Sequence, residues 1–191
     1  MNLPNKLTIS RIAAAPLFFI IFSLPQWTGK FAIASTVILI IMFILMELTD
    51  LLDGIIARKH NLVTDIGKVL DPFADVISRM TFFLCFVSFG IMPVWMIVLF
   101  IYRELSINFY RMYTIMRGGG SMAASRWGKN KAISYTVSGV GGFFYVICIR
   151  FSLFPEQQEL FLTILHILFV ISVFMAVMSF VTYMPVFKKK K

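Results

Sequence analysis

Residues 47–79 read ELTDLLDGIIARKHNLVTDIGKVLDPFADVISR and hold six of the chain's nine acidic residues: Glu47, Asp50, Asp53, Asp65, Asp71 and Asp75. The flanking runs, Phe31–Met46 and Met80–Tyr102, contain no charged residue. Carboxylates set between two apolar runs need a physical reason, because charge at membrane depth is costly and marks function. Asp50, Asp53 and Ala57 fall at i, i+3 and i+7, one face of a helix, and Asp71 and Asp75 fall at i and i+4 on the next. Two such pairs on consecutive helices can face a common space, where like charges coexist only with cations between them. Hard oxygen ligands favour Mg²⁺ or Mn²⁺, with Ca²⁺ as an alternative. Two such ions suit a displacement at phosphorus.

The wider pattern is Asp50-x2-Asp53-Gly54-x2-Ala57-Arg58-x8-Gly67-x3-Asp71-x3-Asp75. Small residues at 54, 57 and 67 let a ligand approach the helix backbones, and Arg58 is a ready partner for phosphate. Loop charges that merely cap helix ends would need neither helical spacing nor small residues at those offsets. At all eight fixed positions the pattern resembles the signature of the CDP-alcohol phosphotransferase family of integral membrane enzymes.

That resemblance implies an all-α membrane protein with a single catalytic domain over residues 1–191. It implies transfer of the phosphatidyl group of CDP-diacylglycerol to an alcohol, with CMP released. It assigns Asp50, Asp53, Asp71 and Asp75 to two divalent cations, Mg²⁺ or Mn²⁺, and makes Asp75 the general base as well. Asn5, Thr8, Gly54, Ala57, Arg58 and Gly67 are expected to hold the CDP group. A homodimer is expected on the same ground. Arg103-Glu104, Arg111, Ala124-Ser125, Gly128-Lys129, Lys131 and the segment NKLTISR at 5–11 are similar to the branch that forms phosphatidylglycerophosphate. One position departs: that branch usually has Lys after the last signature Asp, where this chain has Val76, and the nearest cation on the helix is Arg79.

Composition agrees with a membrane domain. The chain is 59% hydrophobic and only 14% charged, against about half apolar for a soluble domain. Its net charge of +9 reads as contact with anionic lipid on the cytoplasmic side, not with nucleic acid. Cys85 and Cys148 sit in apolar runs and read as free thiols. The first apolar run lacks a small-x-small cleavage site and reads as a retained span. Six helices are expected, at residues 7–24, 31–58, 65–89, 93–117, 132–150 and 160–183, all crossing the membrane. PQWTGK (25–30) reads as a turn, Thr64 as an N-cap, and Pro72 as a first-turn proline. The second helix, about 42 Å long at 1.5 Å per residue, projects beyond a hydrocarbon layer about 30 Å thick. Its acidic end therefore lies at the membrane interface. Of the 18 Lys and Arg, all but Lys30 and Arg150 fall in segments on one side. The positive-inside rule places both termini and the acidic site at the cytoplasmic face of the cell membrane, with Lys188–Lys191 as an anchor.

Arg103 and Glu104 interrupt an apolar helix and should face a polar interior. With Arg111, Arg126 and Lys129 they suggest a basic pocket for a phosphorylated acceptor, glycerol 3-phosphate first, although Arg103 and Glu104 equally suit a structural ion pair. Inositol 1-phosphate, serine, or diacylglycerol with a CDP-choline or CDP-ethanolamine donor would leave the signature chemistry unchanged. An ion or proton transporter would want its carboxylates near midplane and has no need of Arg58. A prenyl-transferring enzyme would want more spans. His60 reads as solvated and His166 as a packed residue.

Overall fold

Asn2 starts the first helix: its side chain accepts a hydrogen bond from the Asn5 N–H at 3.2 Å, and Pro4 occupies the first turn, where a missing donor costs nothing. The computed structural model describes residues 2–59, 65–116 and 126–188. Among them are six α-helices, α1 Leu3–Thr28, α2 Ala32–Lys59, α3 Asp65–Ser88, α4 Val94–Met116, α5 Arg126–Arg150 and α6 Gln158–Lys188, with a 3₁₀ turn at Pro155–Gln157. No strand occurs among the described residues.

Some boundaries differ from expectation. α1 runs through Pro25 to Thr28 and stops only at Gly29, which takes the left-handed conformation (φ 67°) and donates to the Pro25 carbonyl at 2.9 Å. Proline deprives the Ile21 carbonyl of one bond but leaves the following donors intact, and lipid offers those donors no other acceptor. α5 begins at Arg126, six residues before the expected start, because Lys131 has an inward partner. α3 starts at Asp65 as expected, so Pro72 lies two turns in and not in the first turn. The expected N-cap, Thr64, lies outside the described residues.

Four stretches, Leu3–Thr28, Ala32–Asp50, Arg126–Arg150 and Pro155–Tyr183, are long and apolar enough to cross a membrane. α3 and α4 fall short because they carry Asp71, Asp75 and Arg79, and Arg103, Glu104 and Arg111, respectively.

The chain divides into two compact units at Cys85/Phe86. In the first, α1 packs on α2. Phe82 of α3 meets Phe18 of α1 at 4.9 Å and Phe43 of α2 at 5.2 Å between ring centroids. Phe18 and Phe22 are fully buried there. This packing sets one face of α3 against the other two helices and fixes where its aspartates point.

In the second unit, α6 packs on α5 and α4. Phe86 meets Phe143 at 5.0 Å, and Gly142 lies so close that a Cβ there would come within 2.5 Å of the Phe86 ring. Ser172 of α6 donates to the Ser134 carbonyl of α5 at 3.0 Å. His166 lies 3.0 Å from the Ile91 carbonyl, the packed role expected of it.

Candidate active site

The first unit gathers charge at the end of α2. Asp50 on α2 and Asp75 on α3 both face the guanidinium of Arg11 on α1. One nitrogen, Nη1, donates to Asp50 Oδ1 and also to Asp75 Oδ1, the latter at 3.2 Å. The remaining oxygen of Asp75 lies 3.7 Å from Nη2 of Arg79, one turn further along α3. Asp71, one turn before Asp75, accepts a 2.7 Å hydrogen bond from the Thr8 hydroxyl. Spacings of three residues on α1 (8, 11) and four on α3 (71, 75, 79) put each set on one helix face. Adjacent turns of the two helices therefore match each other contact for contact.

A pocket opens here, lined by Glu47, Asp50, Asp75, Arg11, Arg79 and Ser78 among others. Three carboxylates thus face two guanidiniums. Arg11 is buried to 3% exposure, whereas the Asp50 and Asp75 side chains keep 41% and 37%. The acids are open to an incoming ligand and the arginine is not.

These residues suit a divalent cation. Hard carboxylate oxygens from two helices converge closely enough to share one guanidinium nitrogen, so a small cation would meet both acids at once. Among the described residues no three acidic, His or Cys side chains form a ready ligand cluster. The expected fourth carboxylate, Asp53, lies in α2 with Gly54, Ala57 and Arg58, and the side chains of Asp53, Ala57 and Arg58 fall outside the described residues. Gly67 lies in α3, one turn before Asp71. Asn5 and Thr8, expected to touch CDP, are both buried near the start of α1, with Thr8 on Asp71.

Sequence reasoning passed over Arg11 as a site residue. Its signal was present: a lone cation one turn from Thr8, at the edge of an apolar run, with no local acid to pair with. Val76, the departure from the branch pattern, is buried. Within α3 it is Arg79 that brings a cation to Asp75, beside Arg11 from α1.

The second unit holds the other charged group. Glu104 accepts from Arg103 Nη1 at 2.9 Å and from Lys131 Nζ at 2.6 Å, and Arg103 Nη2 donates to Ser179 Oγ at 2.7 Å. All three charged residues are buried. The ion-pair alternative for Arg103 and Glu104 is thus realised and extended to α5 and α6. Arg111 lies two turns beyond Arg103, and the Nε atoms of both arginines are buried with no hydrogen-bond partner among the described residues. Arg126 and Lys129 are exposed at the start of α5.

Among the described residues the chain is helical, with helices of membrane length and aspartates that converge from consecutive helices. Comparison with known proteins identifies the family. The sequence pattern described as CDP-alcohol phosphatidyltransferase matches residues 1–178, and the chain belongs to that family. It is 39% identical to a CDP-diacylglycerol–glycerol-3-phosphate 3-phosphatidyltransferase of Bacillus subtilis (strain 168), over 68% of this chain and 70% of the relative. It is 31% identical to the protein of the same description in Treponema pallidum (strain Nichols), over 98% of this chain and 89% of that one. It is also 31% identical to a probable phosphatidylglycerophosphate synthase of Mycobacterium tuberculosis (strain CDC 1551 / Oshkosh), over 72% and 63%.

Proposed function

We propose that this protein transfers the phosphatidyl group of CDP-diacylglycerol to glycerol 3-phosphate, forming phosphatidylglycerophosphate and releasing CMP. The observation that carries the chemistry is the convergence of Asp50 and Asp75 on one nitrogen of Arg11, with Asp71 one turn away. The choice of acceptor rests on the descriptions of the relatives, which span nearly the whole chain in one case.

In this reading the acceptor hydroxyl attacks the phosphorus that bears the lipid, the bond to CMP breaks, and Asp75 takes the hydroxyl proton. Asp50, Asp53, Asp71 and Asp75 would hold two divalent cations, Mg²⁺ or Mn²⁺, which when bound neutralise the pyrophosphate charge. Asn5, Thr8, Gly54, Ala57, Arg58 and Gly67 hold the CDP group. Arg111, Arg126 and Lys129 receive the acceptor phosphate, while Arg103, first expected with them, is committed to Glu104 and Ser179. Support for this last assignment is the excess of cations in the second unit and the Nε atom of Arg111, buried with no hydrogen-bond partner among the described residues. The 191 residues act as one catalytic domain with all six helices spanning the cell (inner) membrane. Both termini and the acidic site face the cytoplasm, where nucleotide-activated substrates are found, and the enzyme is a homodimer. A site at the interface keeps the acyl tails in lipid and the nucleotide in water.

The test is CMP release by the purified protein with CDP-diacylglycerol, Mg²⁺ or Mn²⁺, and single acceptors. Release with glycerol 3-phosphate alone is expected. Release only with serine or inositol 1-phosphate would keep the acidic site and overturn the acceptor. Release from CDP-choline or CDP-ethanolamine with diacylglycerol, and not from CDP-diacylglycerol, would overturn the donor.

A further inference from the structure

We infer that Arg11 and a divalent cation compete for the same oxygens of Asp50 and Asp75, so that α1 carries the counter-ion that sets how tightly the site takes metal. The inference rests on the divalent-cation reading above. One nitrogen, Arg11 Nη1, serves Asp50 Oδ1 and Asp75 Oδ1 together. These are the atoms that α2 and α3 offer to a shared cation. Guanidinium and a dication cannot both sit on them, because each would stand within about one ion diameter of the other, where like charges repel strongly outside bulk water.

The burial pattern points the same way. Arg11 is 3% exposed while its two acid partners are over a third exposed. A buried guanidinium needs its carboxylates, since an unpaired charge away from water is expensive. The acids, by contrast, can exchange one cation for another from the solvent side. Arg79 adds a second positive charge on the other oxygen of Asp75, at 3.7 Å and from a half-exposed position. With Glu47 completing the lining, the two arginines hold the carboxylates together, and they weaken the hold on any metal by the same interaction. A site balanced this way takes up metal readily together with an anionic nucleotide, whose charge offsets the added cation.

The test measures metal binding directly, by titrating Mn²⁺ into the purified protein in detergent and reading free Mn²⁺ by electron paramagnetic resonance. Arg11→Gln removes the competing charge, and its Mn²⁺ Kd is expected to fall by about tenfold or more. Arg11→Lys keeps the charge and should stay within about threefold of wild type. Equal or weaker binding by Arg11→Gln overturns the competition and leaves the metal reading standing. Absence of Mn²⁺ binding in wild type and variants alike overturns both. A measurement on the wild-type protein guards against a variant that does not fold. The Arg11 side-chain ¹⁵N signal, identified by its loss in Arg11→Lys, should shift on saturation with diamagnetic Mg²⁺. An unmoved signal at saturating Mg²⁺ refutes the inference.

Discussion

Replacing Glu104 by Gln should destabilise the protein more than any other single uncharging substitution in the second unit. Glu104 is 7% exposed and faces two buried cations, Arg103 at 2.9 Å and Lys131 at 2.6 Å. Gln keeps the shape and one carbonyl acceptor, so packing survives, but two cations then share no counter-charge. Removing one partner of a buried pair costs about 3–5 kcal/mol, because the remaining charge stays desolvated. Lys131 retains its place over the Tyr135 ring, 4.6 Å from the centroid, which offsets part of the loss. At about 2–4 °C per kcal/mol for a chain of this size, the unfolding midpoint should fall by roughly 6–20 °C. The control is Ser179→Ala, which removes only the 2.7 Å hydrogen bond to Arg103 and should cost about 1–2 kcal/mol. Both are read by thermal unfolding in one detergent, with tryptophan fluorescence as the signal. A Glu104→Gln midpoint within 2 °C of wild type, on the order of a surface substitution, would refute the claim that the three charges form a buried network.

Four shorter predictions concern the site and the packing. Asp75→Asn should lower kcat by about 10²–10⁴-fold, the usual worth of a general base, while the protein still elutes as a single species; near-normal turnover would remove Asp75 from that role. Excess chelator should stop CMP release and added Mg²⁺ or Mn²⁺ should restore it, so activity persisting in chelator would rule out the divalent-cation reading. Arg111→Ala should raise the KM for glycerol 3-phosphate about tenfold, as expected for one lost charge-assisted bond, and leave that for CDP-diacylglycerol nearly unchanged. The reverse pattern would move Arg111 to the nucleotide. Gly142→Ala should destabilise by about 1–3 kcal/mol through overpacking, because its Cβ would meet the Phe86 ring at 2.5 Å; an unchanged midpoint would show that the ring turns aside freely.

Much of this site was legible in residue order because helical spacing is a local property. Asp50 and Asp53, and Asp71 and Asp75, share faces for reasons set within single turns of α2 and α3. The limits of α1 were less legible. Pro25 and the polar residues after it look like a turn, yet a helix leaving lipid continues until a residue such as Gly29 can reverse its backbone. The start of α5 was hidden for a different reason, since polar residues 126–131 become helical where Lys131 turns inward to Glu104.

By itself the sequence determined the helices, the two charged groups that interrupt them, and the eight-residue signature that marks the family. It could do so because apolar periodicity and short-range spacing survive without knowledge of what lies opposite. Only the tertiary structure decided the partners. It set Arg11 between Asp50 and Asp75, Thr8 on Asp71, and Arg103 and Lys131 on Glu104. A cation 39 residues from its acid leaves no periodic trace, and the pairing exists only once burial strips water from both and makes each the other's best solvent.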